Sequence, residues 1–116
     1  MKEGLTINEA AETTGWSSRM LRYLERVGLI EPARTSSGYR VFGPAELQRL
    51  RTLRELLDRH GLGPSDVAFV KRMRDESELE DAVARWLEEK PEKPVDVQAS
   101  DWLEYEQRKH QALLAA

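Results

Sequence analysis

Apolar positions along this chain recur first at helical spacing, then briefly in alternation, then at helical spacing again, and the changes of period mark the elements. Ile7, Ala10 and Ala11 form a narrow apolar stripe preceded by Thr6, with Glu9 three residues on as in a capping box. Gly15 then ends a helix of barely two turns. Ser17 or Ser18 caps a second helix running to about Val27, with Gly28 as its stop. On a helical wheel Met20, Leu24 and Val27 share one face with Leu21 beside them. Arg19, Arg22 and Arg26 lie opposite, with Tyr23 at their edge. Two short helices joined through a Gly-containing turn form the helix-turn-helix pattern.

The period then changes. Pro32 bars helix continuation, and Ala33-Arg34-Thr35 and Tyr39-Arg40-Val41-Phe42 read as two short strands around the turn Ser36-Ser37-Gly38. Alternation sets Tyr39 and Val41 on one face and Arg40 and Phe42 on the other. A two-stranded hairpin is not stable alone, so Tyr39, Val41 or Phe42 must anchor it to the helices while Arg40 faces out.

Gly43-Pro44 restarts a helix whose apolar stripe is Leu47, Leu50, Leu53, Leu56 and Leu57, with Gly61 and Gly63 beyond its end. A fourth helix starts near Ser65, with Val67, Val70 and Met73 inward. Ser77 and Glu80 suggest a further capping box, ahead of a helix carrying Leu79, Val83, Trp86 and Leu87 and ending at Lys90. "PEKPVDVQAS" reads as a linker. The last helix runs from Ser100 or Asp101 to Leu114, with Trp102, Leu103, Tyr105, Leu113 and Leu114 as its large apolar residues. The fold class is therefore mainly α: a winged helix-turn-helix domain with a short two-stranded wing over residues 1–74, then C-terminal helices over residues 75–116.

Charge divides along the same line. The net charge of −3 averages a front of residues 1–74, with 13 basic and 9 acidic side chains, and a rear of residues 75–116, with 5 basic and 12 acidic. A basic front points to a polyanion partner for that part only. Guanidinium groups bind phosphate and read guanine edges, a helix fits the major groove, and the Tyr23 hydroxyl can bond phosphate. A hairpin directly after a helix-turn-helix is a wing, from which Arg34 and Arg40 can reach backbone phosphates beside the groove.

Other chemistry finds little footing. The chain has no Cys, hence no disulfide framework and no thiolate metal site. His60 and His110 lack ligand-spaced neighbours and read as surface or capping residues, and Glu106 with His110 at i, i+4 is too few groups for zinc. No nucleophile–base–orienter set or phosphate-cradling Gly loop is present, so neither an enzyme nor a resident cofactor is expected. The N-terminus lacks the apolar run of a signal peptide, and no stretch approaches the roughly 20 apolar residues of a membrane helix. A cytoplasmic protein without a membrane partner is expected.

Leu21-Arg22-Tyr23, Gly28-Leu29-Ile30, Pro32, Arg34, Gly38-Tyr39-Arg40 and the helix start at Leu47 and Leu50 together resemble the winged-helix domain of MerR-type transcriptional regulators, over about residues 5 to 74. The resemblance implies that Ser17, Ser18, Arg19, Arg22 and Tyr23 face double-stranded DNA and that Arg34, Tyr39 and Arg40 belong to the wing. It also implies a second wing-like backbone contact around Leu62 to Ser65. Such proteins bind promoters and twist or bend the DNA, so that RNA polymerase engages or is kept off. Leu24 stands where the family usually has a second aromatic, which implies one phosphate contact fewer.

The rear departs further from the family. A long antiparallel dimerisation helix is usual, but Pro91 and Pro94 interrupt any extension of the helix from Ser77 to Lys90, and this length leaves no room for a large ligand domain. Two readings stand for the apolar residues there. The helices fold back to complete one core, or Leu79, Val83, Trp86, Leu87 and Trp102 pack across the two-fold axis of a homodimer. Two functional alternatives also stand: an excisionase-like architectural protein acting as monomer rows on direct repeats, and an adaptor whose acidic rear docks a protein partner.

Overall fold

In the computed structural model, residues 3–63 and 66–115 are described. Helix α1 (Ile7–Thr14) begins at a complete capping box: the Glu9 amide donates to Thr6 Oγ1 at 3.1 Å, and the Thr6 amide to Glu9 Oε1 at 2.9 Å. Gly15 closes it at φ 79°. A Cβ there would meet Leu114 Cδ2 at 2.6 Å, so the turn requires Gly both for its φ and for the approach of the C-terminal helix. Helix α2 (Ser18–Arg26) follows, capped by Ser17 Oγ, which accepts from the Met20 amide at 3.0 Å. Met20, Leu21 and Leu24 are fully buried. Leu24 thus faces the core, and the aromatic missing at that position subtracts nothing from the surface.

The wing is β1 (Ala33–Arg34) paired antiparallel with β2 (Arg40–Val41), with Ala33 opposite Val41 and Arg34 opposite Arg40. Gly38, at φ 88°, allows the tight turn. The choice between aromatic anchors is decided for Phe42, which is fully buried, while Tyr39 is 74% exposed. Phe42 is also clipped by the N-terminal segment: Leu5 and Phe42 exchange both backbone hydrogen bonds at 2.8 Å.

Helix α3 (Pro44–Arg59) is the axis of the molecule, with Leu47, Leu50, Leu53, Leu56 and Leu57 buried. Past its C-cap at His60, helix α4 (Asp66–Asp75) is tied back by Arg72, which donates to the His60 carbonyl at 2.9 Å. Phe69 is the buried residue of α4 that its sequence pattern did not single out. The expected inward turn of Val67 and Val70 lies outside the described side chains. Helix α5 (Ser77–Glu88) starts at Ser77 with Glu76 at the N-cap and no side-chain cap bond, so the expected Ser77–Glu80 capping box does not form: Ser77 lies one residue inside the helix. A single 3-10 turn (Ala99–Asp101) leads into α6 (Trp102–Ala115).

Both C-terminal helices fold back. Leu79, Val83 and Trp86 belong to the same buried cluster as Leu21, Phe42 and Leu50. Trp86 Nε1 donates to Thr52 Oγ1 at 2.8 Å, and Arg49 lies 4.2 Å over the indole. The assignment of Leu79, Val83 and Trp86 to a two-fold interface is therefore corrected: α3 and α4 of the same chain pack on α5 and cover them. Leu87 stays 43% exposed. Trp102 is partly buried, its Nε1 donating to Glu106 at 3.0 Å. The segment that reads as a free linker is strapped to α3. The Gln48 side-chain amide bonds both the carbonyl and the amide of Glu92, at 2.6 and 2.7 Å, and Arg49 Nη1 donates to the Glu89 carbonyl at 2.6 Å.

Helix α6 docks through a polar face. Glu106 and His110 are fully buried. Arg51 of α3 donates from Nε to Glu106 Oε1 at 3.0 Å and from Nη1 to Glu55 at 3.0 Å. His110 Nε2 lies 2.6 Å from the Leu47 carbonyl, which corrects its reading as a surface residue. With Nε2–H donating there, Nδ1 carries the lone pair and has no hydrogen-bond partner among the described residues. Burial pushes the His110 pKa below its ordinary value; the Leu47 carbonyl and Glu106 oppose this, and Arg51 and Arg54 add to it. A histidine kept neutral in the fold and free to protonate when unfolded contributes stability above its ordinary pKa near 6.5 that is lost as pH falls through the depressed folded value. The urea midpoint should therefore drop between pH 7.5 and 5.5, and drop less in His110→Gln, which keeps a donor and loses the titration. An equal drop in both would assign the acid sensitivity to other groups.

Candidate nucleic-acid interface

The capped start of α2 decides which way its faces point. With Met20, Leu21 and Leu24 turned to the core, Arg19, Arg22 and Arg26 are exposed on the outer face. Tyr23 is half-buried at the edge of that face, with the Arg26 guanidinium 5.5 Å from its ring centroid. Ser17 is exposed, its hydroxyl accepting from the helix. Ser18 Oγ donates to Asn8 Oδ1 at 3.2 Å, so Ser17 caps α2 and Ser18 ties it to α1.

The wing sits beside this face and is fastened to it by one carboxylate. Glu25 of α2 accepts from Arg34 Nη2 at 3.0 Å and from Arg40 Nε at 2.8 Å, one oxygen to each. Arg34 Nη1 also bonds the Gly38 carbonyl at 3.0 Å, bracing the turn. The Arg34 side chain is 47% exposed and that of Arg40 25%, so both guanidinium groups keep open edges. Arg40 does not simply point outward as alternation had it; it leans on Glu25. Of the expected set, Ser17, Arg19, Arg22, Arg34 and Tyr39 are exposed, and Ser18, Tyr23 and Arg40 are part-buried. Sequence reading offers Glu25 only as an ion-pair partner for the arginines of α2 and misses its link to the wing. Its only signal is an acid set among three arginines on a helix otherwise basic on that face. Of the second wing-like contact, Leu62 is buried, and residues 64 and 65 lie outside the described residues.

This arrangement joins a basic helix face to a basic hairpin at fixed offset. A model of the MerR HTH family of regulatory proteins matches residues 5–73, which span both. The chain belongs to the MerR HTH family. Within it, the chain is similar to heavy metal-dependent transcription regulator 2 of Rhizobium meliloti (strain 1021), at 47% identity over 55 residues, 47% of this chain and 37% of the relative. A probable heavy metal-dependent transcriptional regulator of Haemophilus influenzae is 45% identical over 51 residues, covering 43% of this chain and 40% of the relative. The mercuric resistance operon regulatory protein of Bacillus cereus is 39% identical over 51 residues, covering 43% and 39%. The chain thus spans well under half the length of these MerR-type relatives. No solved structure gives a significant match.

The surroundings of the interface carry other charges. Among the described residues no group of three or more His, Cys, Asp and Glu is placed to hold a metal ion, and no helix is long and apolar enough to cross a membrane. The acidic helix α5 packs on α3 and α4, and α6, whose Glu104 and Glu106 are balanced by Arg108 and Lys109, packs on α3 and α1. Their acidic side chains therefore belong to the buttress behind the helix-turn-helix.

Proposed function

We propose that this chain is a sequence-specific DNA-binding transcriptional regulator of the MerR type, acting in the cytoplasm. Helix α2 lies in the major groove with Arg19, Arg22 and Arg26 toward the bases and phosphates, and Ser17, Ser18 and Tyr23 bond the backbone. The wing sets Arg34, Tyr39 and Arg40 on the flanking strand. The observation that carries this reading is the exposed arginine face of α2 standing in one rigid unit with a hairpin anchored by buried Phe42. The DNA is twisted or bent at a promoter, which engages RNA polymerase or keeps it off.

The metals in the names of these three relatives are not carried over, because the matched segment is the DNA-binding part. The relatives are regulators, which favours regulation over the excisionase-like reading. The same relatives leave the adaptor reading, with an acidic rear that docks a protein partner, without support of its own. A homodimer on an inverted repeat stays part of the proposal, with its contacts outside Leu79, Val83 and Trp86.

The test is a footprint on DNA upstream of the chain's own coding sequence, beginning at low salt, where phosphate attraction is strongest. Protection of an inverted repeat with half-sites one or two helical turns apart supports a dimer on DNA; protection spreading over direct repeats supports monomer rows. No protection at low salt overturns the proposal. On a protected sequence, Arg22→Ala should cost about 1–3 kcal/mol of specific affinity if it reads a base. A loss equal on every sequence would move Arg22 to a phosphate.

A further inference from the structure

Glu25 is an acid in the middle of a surface whose proposed partner is a polyanion. A carboxylate there repels phosphate, yet its two oxygens are both engaged, one by each arginine of the wing. Its partners come from the two strands, 9 and 15 residues away in sequence, and Arg34 and Arg40 are register partners in the hairpin. Glu25 therefore grips the wing at the one rung where both guanidinium groups lie side by side.

The donor inventory shows what that grip leaves available. A guanidinium has five N–H donors. Arg34 uses one on Glu25 and one on the Gly38 carbonyl, and Arg40 uses its Nε–H on Glu25. Most of the fork of each remains unbonded among the described residues. Both can therefore bind a phosphate oxygen without leaving Glu25, from positions fixed relative to α2. Unheld, two long and flexible side chains on a two-residue ladder would meet phosphate in many geometries, including those offered by any duplex.

We infer that Glu25 is a specificity-determining positioning residue: it locks Arg34 and Arg40 to the recognition helix, so that wing and groove contacts are made in one register, and it weakens binding to DNA that does not fit that register. The inference rests on the DNA-binding reading above. It assigns to an acid inside the basic surface a role opposite to that of a simple repulsive charge, because it predicts that specific and non-specific affinity move in different directions when the charge is removed.

The experiment compares the wild-type chain with Glu25→Gln on two duplexes, one selected by the wild type from a random-sequence pool and one of scrambled sequence, across a salt series. On the scrambled duplex Glu25→Gln should bind more tightly, with a log–log salt slope steeper by up to about one, as for one more phosphate neutralised. On the selected duplex it should bind more weakly, so that the ratio of the two affinities falls by about tenfold or more, a change of about 1.4 kcal/mol. Parallel tightening on both duplexes with an unchanged ratio overturns the inference and leaves Glu25 a plain negative charge. Glu25→Asp keeps the charge and draws the carboxylate back, and it stands in if Glu25→Gln does not fold. A lowered ratio with an unaltered slope on scrambled DNA supports the positioning role, and an unaltered ratio overturns it. A wild type that binds neither duplex overturns the DNA-binding reading itself and this inference with it.

Discussion

Replacing Arg51 by alanine is expected to destabilise the chain by about 3–5 kcal/mol, the cost of leaving one member of a buried ion pair alone. Glu106 is fully buried, and Arg51 is its close cationic partner, with Nε at 3.0 Å from Oε1. Without Arg51, the bonds to Glu106 that remain among the described residues are those of Trp102 Nε1 at 3.0 Å and Gln48 Nε2 at 3.4 Å, both from neutral donors. Burial by itself lowers the Arg51 pKa, but the bonds to Glu106 and Glu55 outweigh it and hold the guanidinium above its ordinary value. The pair is thus geometrically sound, which does not make it a net source of stability. Replacing both members by apolar residues of similar volume, Arg51→Met with Glu106→Leu, should be neutral or stabilising relative to wild type. Urea unfolding of the two variants separates these statements. A double variant as unstable as Arg51→Ala would mean that the pair itself, and not the orphaned carboxylate, holds α6 in place. An Arg51→Ala midpoint equal to wild type would mean that α6 is not docked through Glu106.

Phe42→Ala carries the second large effect, about 3–5 kcal/mol for emptying a fully buried aromatic site. Its consequence is also local, because Phe42 is where the end of the wing, the N-terminal segment and the core meet. The Leu5–Phe42 backbone bonds remain possible, but the ring that seats the hairpin is gone. At a temperature where the variant is still folded, DNA affinity should fall although no candidate contact has been altered, because Arg34 and Arg40 lose their fixed offset from α2. Tyr39→Ala is the matched control for stability alone, because Tyr39 is itself a proposed contact. At 74% exposure it should change stability by no more than about 0.5 kcal/mol. If Phe42→Ala left affinity untouched while lowering stability, the wing would not depend on its anchor for binding.

The N-terminal part of the fold was legible residue by residue. The capping box of Thr6 and Glu9, the Ser17 cap, the stops at Gly15 and Gly28, Pro44 at the start of α3 and the leucine stripe behind it are signals that act within a few residues, and each element lies where they put it. The opposed faces of α2 were legible for the same reason: helical periodicity turns sequence spacing directly into direction.

Helix α6 shows where this stops. Its large apolar residues are plain in the sequence, yet its fully buried side chains are Glu106 and His110, with Trp102 a turn earlier on the same side. Polar residues read as surface unless their partners are known, and Arg51 lies 55 residues away from Glu106 and Leu47 lies 63 from His110. Ser77 failed as a cap through a shift of one residue, a boundary error set by how α4 hands over to α5.

By itself, then, the sequence determined the helix-turn-helix, the hairpin after it and the basic outer face of α2, because caps, glycines and periodicity are local and need no partner. Only the tertiary structure decided that Phe42 and not Tyr39 seats the wing, that Glu25 joins the wing to α2, and that Leu79, Val83 and Trp86 are covered by their own chain. Each of those outcomes depends on which surfaces meet across long stretches of sequence, where burial and charge pairing choose among partners that the local pattern leaves equivalent.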